Sequence, residues 1–184
     1  MKKAAARSGL YVAALMAMAP VQACGLEPAI NGGFTVSHPR SIDVAVAVAN
    51  ARRTGLLPPA KTDAVDKDGR LRALISDLQR LQGRLSNGVR NSAADSTDPF
   101  SLVLVGPGLW SHFHSNPDAV LARYHVDGPL AGRAVVLTHA AVLNALLGGE
   151  LSVDQAMADG LLSFSGSNTE QLRGVFVTSL APRG

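Results

Sequence analysis

The stretch Trp110-Ser111-His112-Phe113-His114 sets two imidazoles two residues apart. On a strand both rings point to one face. A His-x-His pair suits zinc or copper, for which imidazole is a common ligand. A third ligand would come from His125, His139, Asp118 or Asp127. No other set has the spacing of reactive machinery. There is no G-x-S-x-G elbow. No pair of carboxylates is framed by apolar residues that would drive two pKa values apart. The glycine-rich stretch 148–166, GGELSVDQAMADGLLSFSG, matches neither G-x-G-x-x-G nor G-x-x-x-x-G-K-[ST]. Gly166 stands before a helix N-terminus, where an anion could sit, but no lysine accompanies it. The expectation is therefore a chain that is not an enzyme and has no resident cofactor, with His112 and His114 as the candidate metal pair.

Cys24 is the single cysteine, so no internal disulfide can form. The residues before it have the layout of a bacterial secretory signal peptide. Lys2, Lys3 and Arg7 come first, then an apolar run over 10–19, then Val21 and Ala23 before the cut. The run is too short for a permanent span, which needs about 20 residues. The three cations bear on the charge of the mature chain. The whole sequence has 17 Lys and Arg against 14 Asp and Glu. Without Lys2, Lys3 and Arg7 the balance is 14 against 14, so the basic excess belongs to the leader and nucleic acid is not an expected partner. Val21-Gln22-Ala23-Cys24 resembles a bacterial lipobox, with Val21 at the usual leucine position and Gln22 at a small-residue position. That resemblance implies an acylated Cys24, with two or three chains giving stable membrane anchoring. Gly25 after the cysteine, rather than aspartate, resembles the pattern of outer-membrane sorting. The expected location is the periplasmic face of the bacterial cell envelope.

The elements that must position these residues follow from periodicity and turn chemistry. Residues 25–39, rich in Gly, Pro and Asn, read as a tether. A helix follows near 41–53, with Ser41 as its cap, Gly55 as its stop and Ile42, Ala45, Val46 and Ala49 on its apolar face. Leu71, Leu74, Ile75, Leu78, Leu81 and Leu85 recur at helical spacing and predict a long core-facing helix. Residues 86–99 read as a polar loop. Strands are predicted over 100–106, 109–114, 119–126, 133–138 and 161–166. A helix over 139–147 is expected to take Thr138 as its cap. Ser152 and Gln155 have capping-box spacing, as do Ser167 and Glu170 at the start of a last helix. Gly160 is placed to end the short helix between them.

The segment LNALLGGELSVDQAMADGLLSFSGSNTEQLRGVF resembles the C-terminal signature of sterol carrier protein 2 type domains. Gly149, Leu151, Ala156, Gly160, Leu162, Phe164, Gly166 and Asn168 occupy matching positions, with Ser167 as an extra residue. The match covers about 35 residues. It implies an α+β fold with a mostly antiparallel sheet of about five strands flanked by helices. It also implies an apolar tunnel for a lipid-like ligand. Here that tunnel would be lined by Leu102, Leu104, Trp110, Phe113, Val136, Leu143, Leu146, Met157, Leu162 and Phe164. The alternative for those residues is a filled core.

The expected organisation is a signal peptide over 1–23, a lipid-anchored tether with a short helix over 24–65, and a sterol carrier protein 2-like domain over 66–184. The expected function is that of a non-enzymatic envelope lipoprotein that binds an apolar ligand or a partner protein at the membrane. One alternative is a periplasmic metal-handling or redox-enzyme assembly accessory protein using His112 and His114. Another is a purely structural interaction module.

Overall fold

A computed structural model describes residues 34–60, 67–91, 98–116 and 119–181. Cys24, the leader and Asp118 lie outside them. The elements run α1 (Ser41–Arg53), α2 (Lys67–Asn91), β1 (Phe100–Val105), β2 (Leu109–Ser115), β3 (Val120–Val126), β4 (Ala134–His139), α3 (Ala140–Gly148), α4 (Val153–Ala158), β5 (Leu162–Ser165) and α5 (Thr169–Leu180). The five strands form one sheet in the order β3-β2-β1-β4-β5. Every pairing is antiparallel except β1 with β4. This is the α+β class expected, with a mostly antiparallel sheet of five strands and helices flanking it. Among the described residues no helix is long and apolar enough to cross a membrane.

β1 reads FSLVLV and is buried along its whole length. A strand with one wet face would alternate, so an unbroken apolar run requires cover on both faces. One face carries Phe100, Leu102 and Leu104, in register with Phe113, Val136 and Phe164 on neighbouring strands. α2 and α5 pack against this side. Phe176 of α5 meets Phe100 and Phe164 edge-on at 5.8 and 5.3 Å. Gln82 of α2 donates to the Val120 carbonyl at 2.9 Å and accepts from Tyr124 Oη. The opposite face carries Ser101, Val103, Val105 and Leu137, and two segments cover it. α1 lays Val44, Val48 and Ala51 over β1 and β4. The connection from β3 to β4 crosses over β2 and β1, where the Leu130 amide donates to Ser101 Oγ at 2.8 Å and His112 Nε2 lies 2.7 Å from the Gly128 carbonyl.

α1 therefore belongs to the folded body. The expected tether, over its described part, supplies one outer layer of the sheet. Thr35 makes a bridge to Gly106, and Arg40 reaches Ser163 Oγ at 2.7 Å. The face of α1 was misread. Ser41, Val44, Val48 and Ala51 are inside, whereas Ile42 and Val46 are outside. Both sides of this helix are apolar, so periodicity alone could not choose between them. Ser41 is the first helical residue and not a side-chain cap. Its hydroxyl accepts from the His38 amide at 3.0 Å.

Three further local expectations differ from the structure. Residues 86–91 continue α2 instead of forming a loop, because Val89 is buried and Gly88 lies against Ser179 of α5. Packing outweighs the weak propensity of Ser, Asn and Gly. Ser167 does not cap α5. Asn168 takes the N-cap position in a left-handed conformation, and Ser167 Oγ donates to the Gly132 carbonyl at 3.1 Å. Thr138 does not cap α3. Its register turns it inward, where Oγ1 donates to the Leu161 carbonyl at 3.1 Å, and His139 becomes the cap.

Candidate functional site

Of the ten residues expected to line a tunnel, Leu102, Leu104, Phe113, Val136, Leu162 and Phe164 share one face of the sheet, whereas Trp110 pairs with Val103 and lies on the other face. Leu102, Leu104, Phe113 and Val136 have no accessible surface. A side chain bordering a water-sized void keeps some contactable surface, and these keep none. Trp110, Leu143, Leu146 and Leu162 are buried, and Met157 and Phe164 are half-buried. Phe100 stacks on Phe113 with ring centroids 4.9 Å apart, and Phe176 closes the cluster. The aromatic rings occupy the space between sheet and α5. Around Leu102, Leu104, Phe113 and Val136 the interior is packed.

His112 and His114 sit on the same face of β2, as strand geometry requires. His112 is engaged with the Gly128 carbonyl. The remaining metal candidates do not converge on the pair. His125 is the extra residue of a bulge, lying between Tyr124, which pairs with Ser111, and Val126, which pairs with Trp110. Its backbone is left-handed, with φ of 58°, and its side chain is exposed. His139 pairs with Val105, whereas His112 pairs with Ser101, four residues away along β1. That separation is about 13 Å at the rise of a strand. Asp127 is exposed on the crossing loop. Among the described residues no three His, Cys, Asp or Glu side chains gather as a metal set.

His139 does something the sequence reading missed. Its Nδ1 accepts the Ala141 amide at 3.0 Å and caps α3. Burial, aided by the Arg52 guanidinium, pulls its pKa down to about 4. At neutral pH the ring is uncharged, as an acceptor Nδ1 requires. The signal available in sequence was position alone, since histidine is an uncommon cap beside a threonine.

Three open grooves surround this cap and α1. One of about 190 Å³ lies between Phe34, Ala45, Ala49, Arg52, Gly106 and His139. A second of about 590 Å³ runs past Pro58, Pro59, Arg52, Arg80, Asn144 and Glu150. Its wall is braced between helices. Asn144 Nδ2 donates to Asp77 at 2.7 Å, and Arg80 reaches both Asp77 and Asn144 at 3.3 Å. Burial pushes the Asp77 carboxyl upward, while Arg80 and these hydrogen bonds hold it down in part. The third groove, about 510 Å³, lies on the other flank of α1, between Val46, Asn50, Leu56 and Asp159. All three are open to solvent and mix apolar walls with charges. That arrangement can bind.

No family model matches the chain, and no curated protein matches it. Among solved structures it is similar to a stereoselective inverting sec-alkylsulfatase from Pseudomonas sp., with 14% identity, 54% of this chain and 14% of that chain covered, and a TM-score of 0.39. A double mutant of the sec-alkyl sulfatase is similar at 16% identity, over 74% of this chain and 20% of that chain, with a TM-score of 0.41. A UbiJ-SCP2 ubiquinone synthesis protein is similar at 18% identity, over 58% of this chain and 96% of that chain, with a TM-score of 0.40. The chain thus spans a small part of the sulfatase chains it matches and nearly the whole of the UbiJ-SCP2 chain.

Proposed function

We propose that this protein is a non-enzymatic, lipid-anchored binding module of the bacterial envelope, with a domain like sterol carrier protein 2 whose interior is filled and whose surface does the binding. The signature that suggested the family supports the domain assignment. Its helix, glycine turn, capped short helix, strand and final helix all occupy their expected places. The observation that carries the surface reading is the packed interior. Leu102, Leu104, Phe113 and Val136 have no accessible surface and open grooves flank α1, which supports that reading. A partner protein of the envelope, or an apolar molecule held in an open groove, fits these surfaces. The lipobox-like VQAC and its leader support anchoring through Cys24. The metal-handling alternative draws support from the His112/His114 pair alone.

Native mass spectrometry of the protein isolated from the envelope tests this reading. The expected result is an acyl mass on Cys24 and no apolar molecule bound in fixed proportion within the fold. A lipid retained one-to-one after detergent exchange would overturn the surface reading in favour of an enclosed carrier. Bare Cys24 would overturn the anchor. A stoichiometric metal lost in His112→Ala with His114→Ala would favour metal handling instead.

A further inference from the structure

The outer side of α1 carries the apolar Ile42 and Val46 beside Asp43, Asn50 and Arg53, and nothing among the described residues covers it. Among the described residues six large apolar side chains are exposed, and five of them fall within 34–56: Phe34, Val36, Ile42, Val46 and Leu56. Ile42 and Val46 stand one turn apart on α1, each 55% exposed. Phe34, 46% exposed, shares a groove with Ala45 and Ala49 on one flank of the helix. Leu56 shares a groove with Val46 on the other. The four side chains make a band across the helix. Arg40 and Arg53 bracket it from the two ends of α1, and both are exposed, with Asp43 lying 3.7 Å from Arg40. The inward half of α1 is fixed on the sheet, so this band is held outward by the fold.

Chain length says what lies opposite. Nine residues lie between Cys24 and Phe34, ten chain steps in all. Fully extended they reach about 35 Å, and as a flexible coil about 18 Å. A membrane-attached Cys24 therefore keeps Phe34, at the edge of the band, within about 35 Å of the bilayer surface. We propose that the band formed by Phe34, Ile42, Val46 and Leu56 rests on the lipid surface. The apolar side chains enter the headgroup–acyl boundary, and Arg40 and Arg53 meet anionic headgroups. This inference rests on the reading of Cys24 as the membrane anchor. It sets the orientation of the module: α1 faces the bilayer and α2 faces away, leaving the groove past Pro58 and Glu150 at the side.

The test uses the envelope-isolated protein on vesicles of phosphatidylethanolamine and phosphatidylglycerol with brominated acyl chains. Tryptophan reporters are placed by Ile42→Trp and, as a control on β3, by Leu121→Trp. Leu121 is also 55% exposed, and the buried Trp110 is common to both variants. Bromolipid is expected to quench the added fluorescence of Ile42→Trp at least twofold more than that of Leu121→Trp. Equal quenching overturns the proposal. So does a second copy or an envelope protein that shields the Ile42→Trp reporter with no lipid contact. The acyl mass on Cys24 is read separately, so loss of the anchor reading is recognised by itself. A maleimide phospholipid coupled to that single thiol then supplies the tether, and docking is read in either case. Circular dichroism of each variant confirms that the fold is retained.

Discussion

At the scale of single residues, the contrast between Thr138 and His139 shows how register assigns roles. A threonine before a helix is the better cap by propensity. Pairing of Thr138 with Leu104 on β1 and Leu162 on β5 turns its side chain into the protein. His139, one residue on, is left to cap α3, and its Nδ1 must be unprotonated to accept a hydrogen bond from the Ala141 amide. Its folded pKa of about 4 lies below the ordinary 6.5. The unfolded chain therefore binds more protons between those values. The stabilisation is fully present above pH 6.5 and is lost as pH falls toward 4, to an extent on the order of 3 kcal/mol. Urea unfolding from pH 7.5 to 4 should show this loss in the parent. His139→Asn, which keeps a cap acceptor but does not titrate, should lose markedly less. Parallel pH curves would mean that His139 is not the group responsible.

At the scale of elements, what was legible was whatever the chain decides locally. α4 is the clearest case. Ser152 Oγ accepts from the Gln155 amide at 3.1 Å. Gly160, with φ of 70°, lets the Leu161 amide reach back to the Ala156 carbonyl at 2.8 Å while its own amide bonds the Met157 carbonyl at 3.1 Å. That is the paired hydrogen bonding of a Schellman stop, and it needs only neighbours in sequence. The long helix was legible in its middle and misjudged at its end for a non-local reason. Two of its glycines make the point. A Cβ built on Gly83 meets nothing within 4 Å, whereas one on Gly88 falls 2.9 Å from the Cβ of Ser179. Gly83→Ala should stabilise by about 0.5–1 kcal/mol through helix propensity and a stiffer unfolded chain. Gly88→Ala should destabilise by about 1–3 kcal/mol through overpacking against α5. Chemical denaturation of the two variants checks the signs, and equal shifts would show that α2 and α5 do not cross at Gly88.

At the scale of the whole molecule, the sheet is the middle layer and α1 is one of its covers. This makes the two sides of α1 unequal in a measurable way. Val48, buried over β1 and β4, cannot accept a charge: Val48→Asp should cost several kcal/mol and unfold the protein at moderate temperature. Val46, two residues earlier and exposed, should tolerate Val46→Asp within about 0.5 kcal/mol. Thermal melts decide this, and a reversed order would mean that the opposite face of α1 packs on the sheet. An apolar residue on a strand looks the same in sequence whether it borders a tunnel or fills a core. Only the positions of Phe100, Phe113 and Phe176, brought together from β1, β2 and α5, show the space to be occupied.

Local sequence carried the elements, the α+β class, the Ser152 cap and the Gly55 and Gly160 stops. Each of these is settled by hydrogen bonds and periodicity within a few residues, or by a short composition pattern. Which face of α1 is inside, that residues 86–91 remain helical, how the rings of Phe100, Phe113 and Phe176 pack, and the separation of His112 from His139 were settled by tertiary contacts. Those outcomes depend on contacts between distant parts of the chain, such as Arg40 with Ser163 or Gly88 with Ser179. A residue's type does not encode which distant partner will arrive; the summed packing of three layers does.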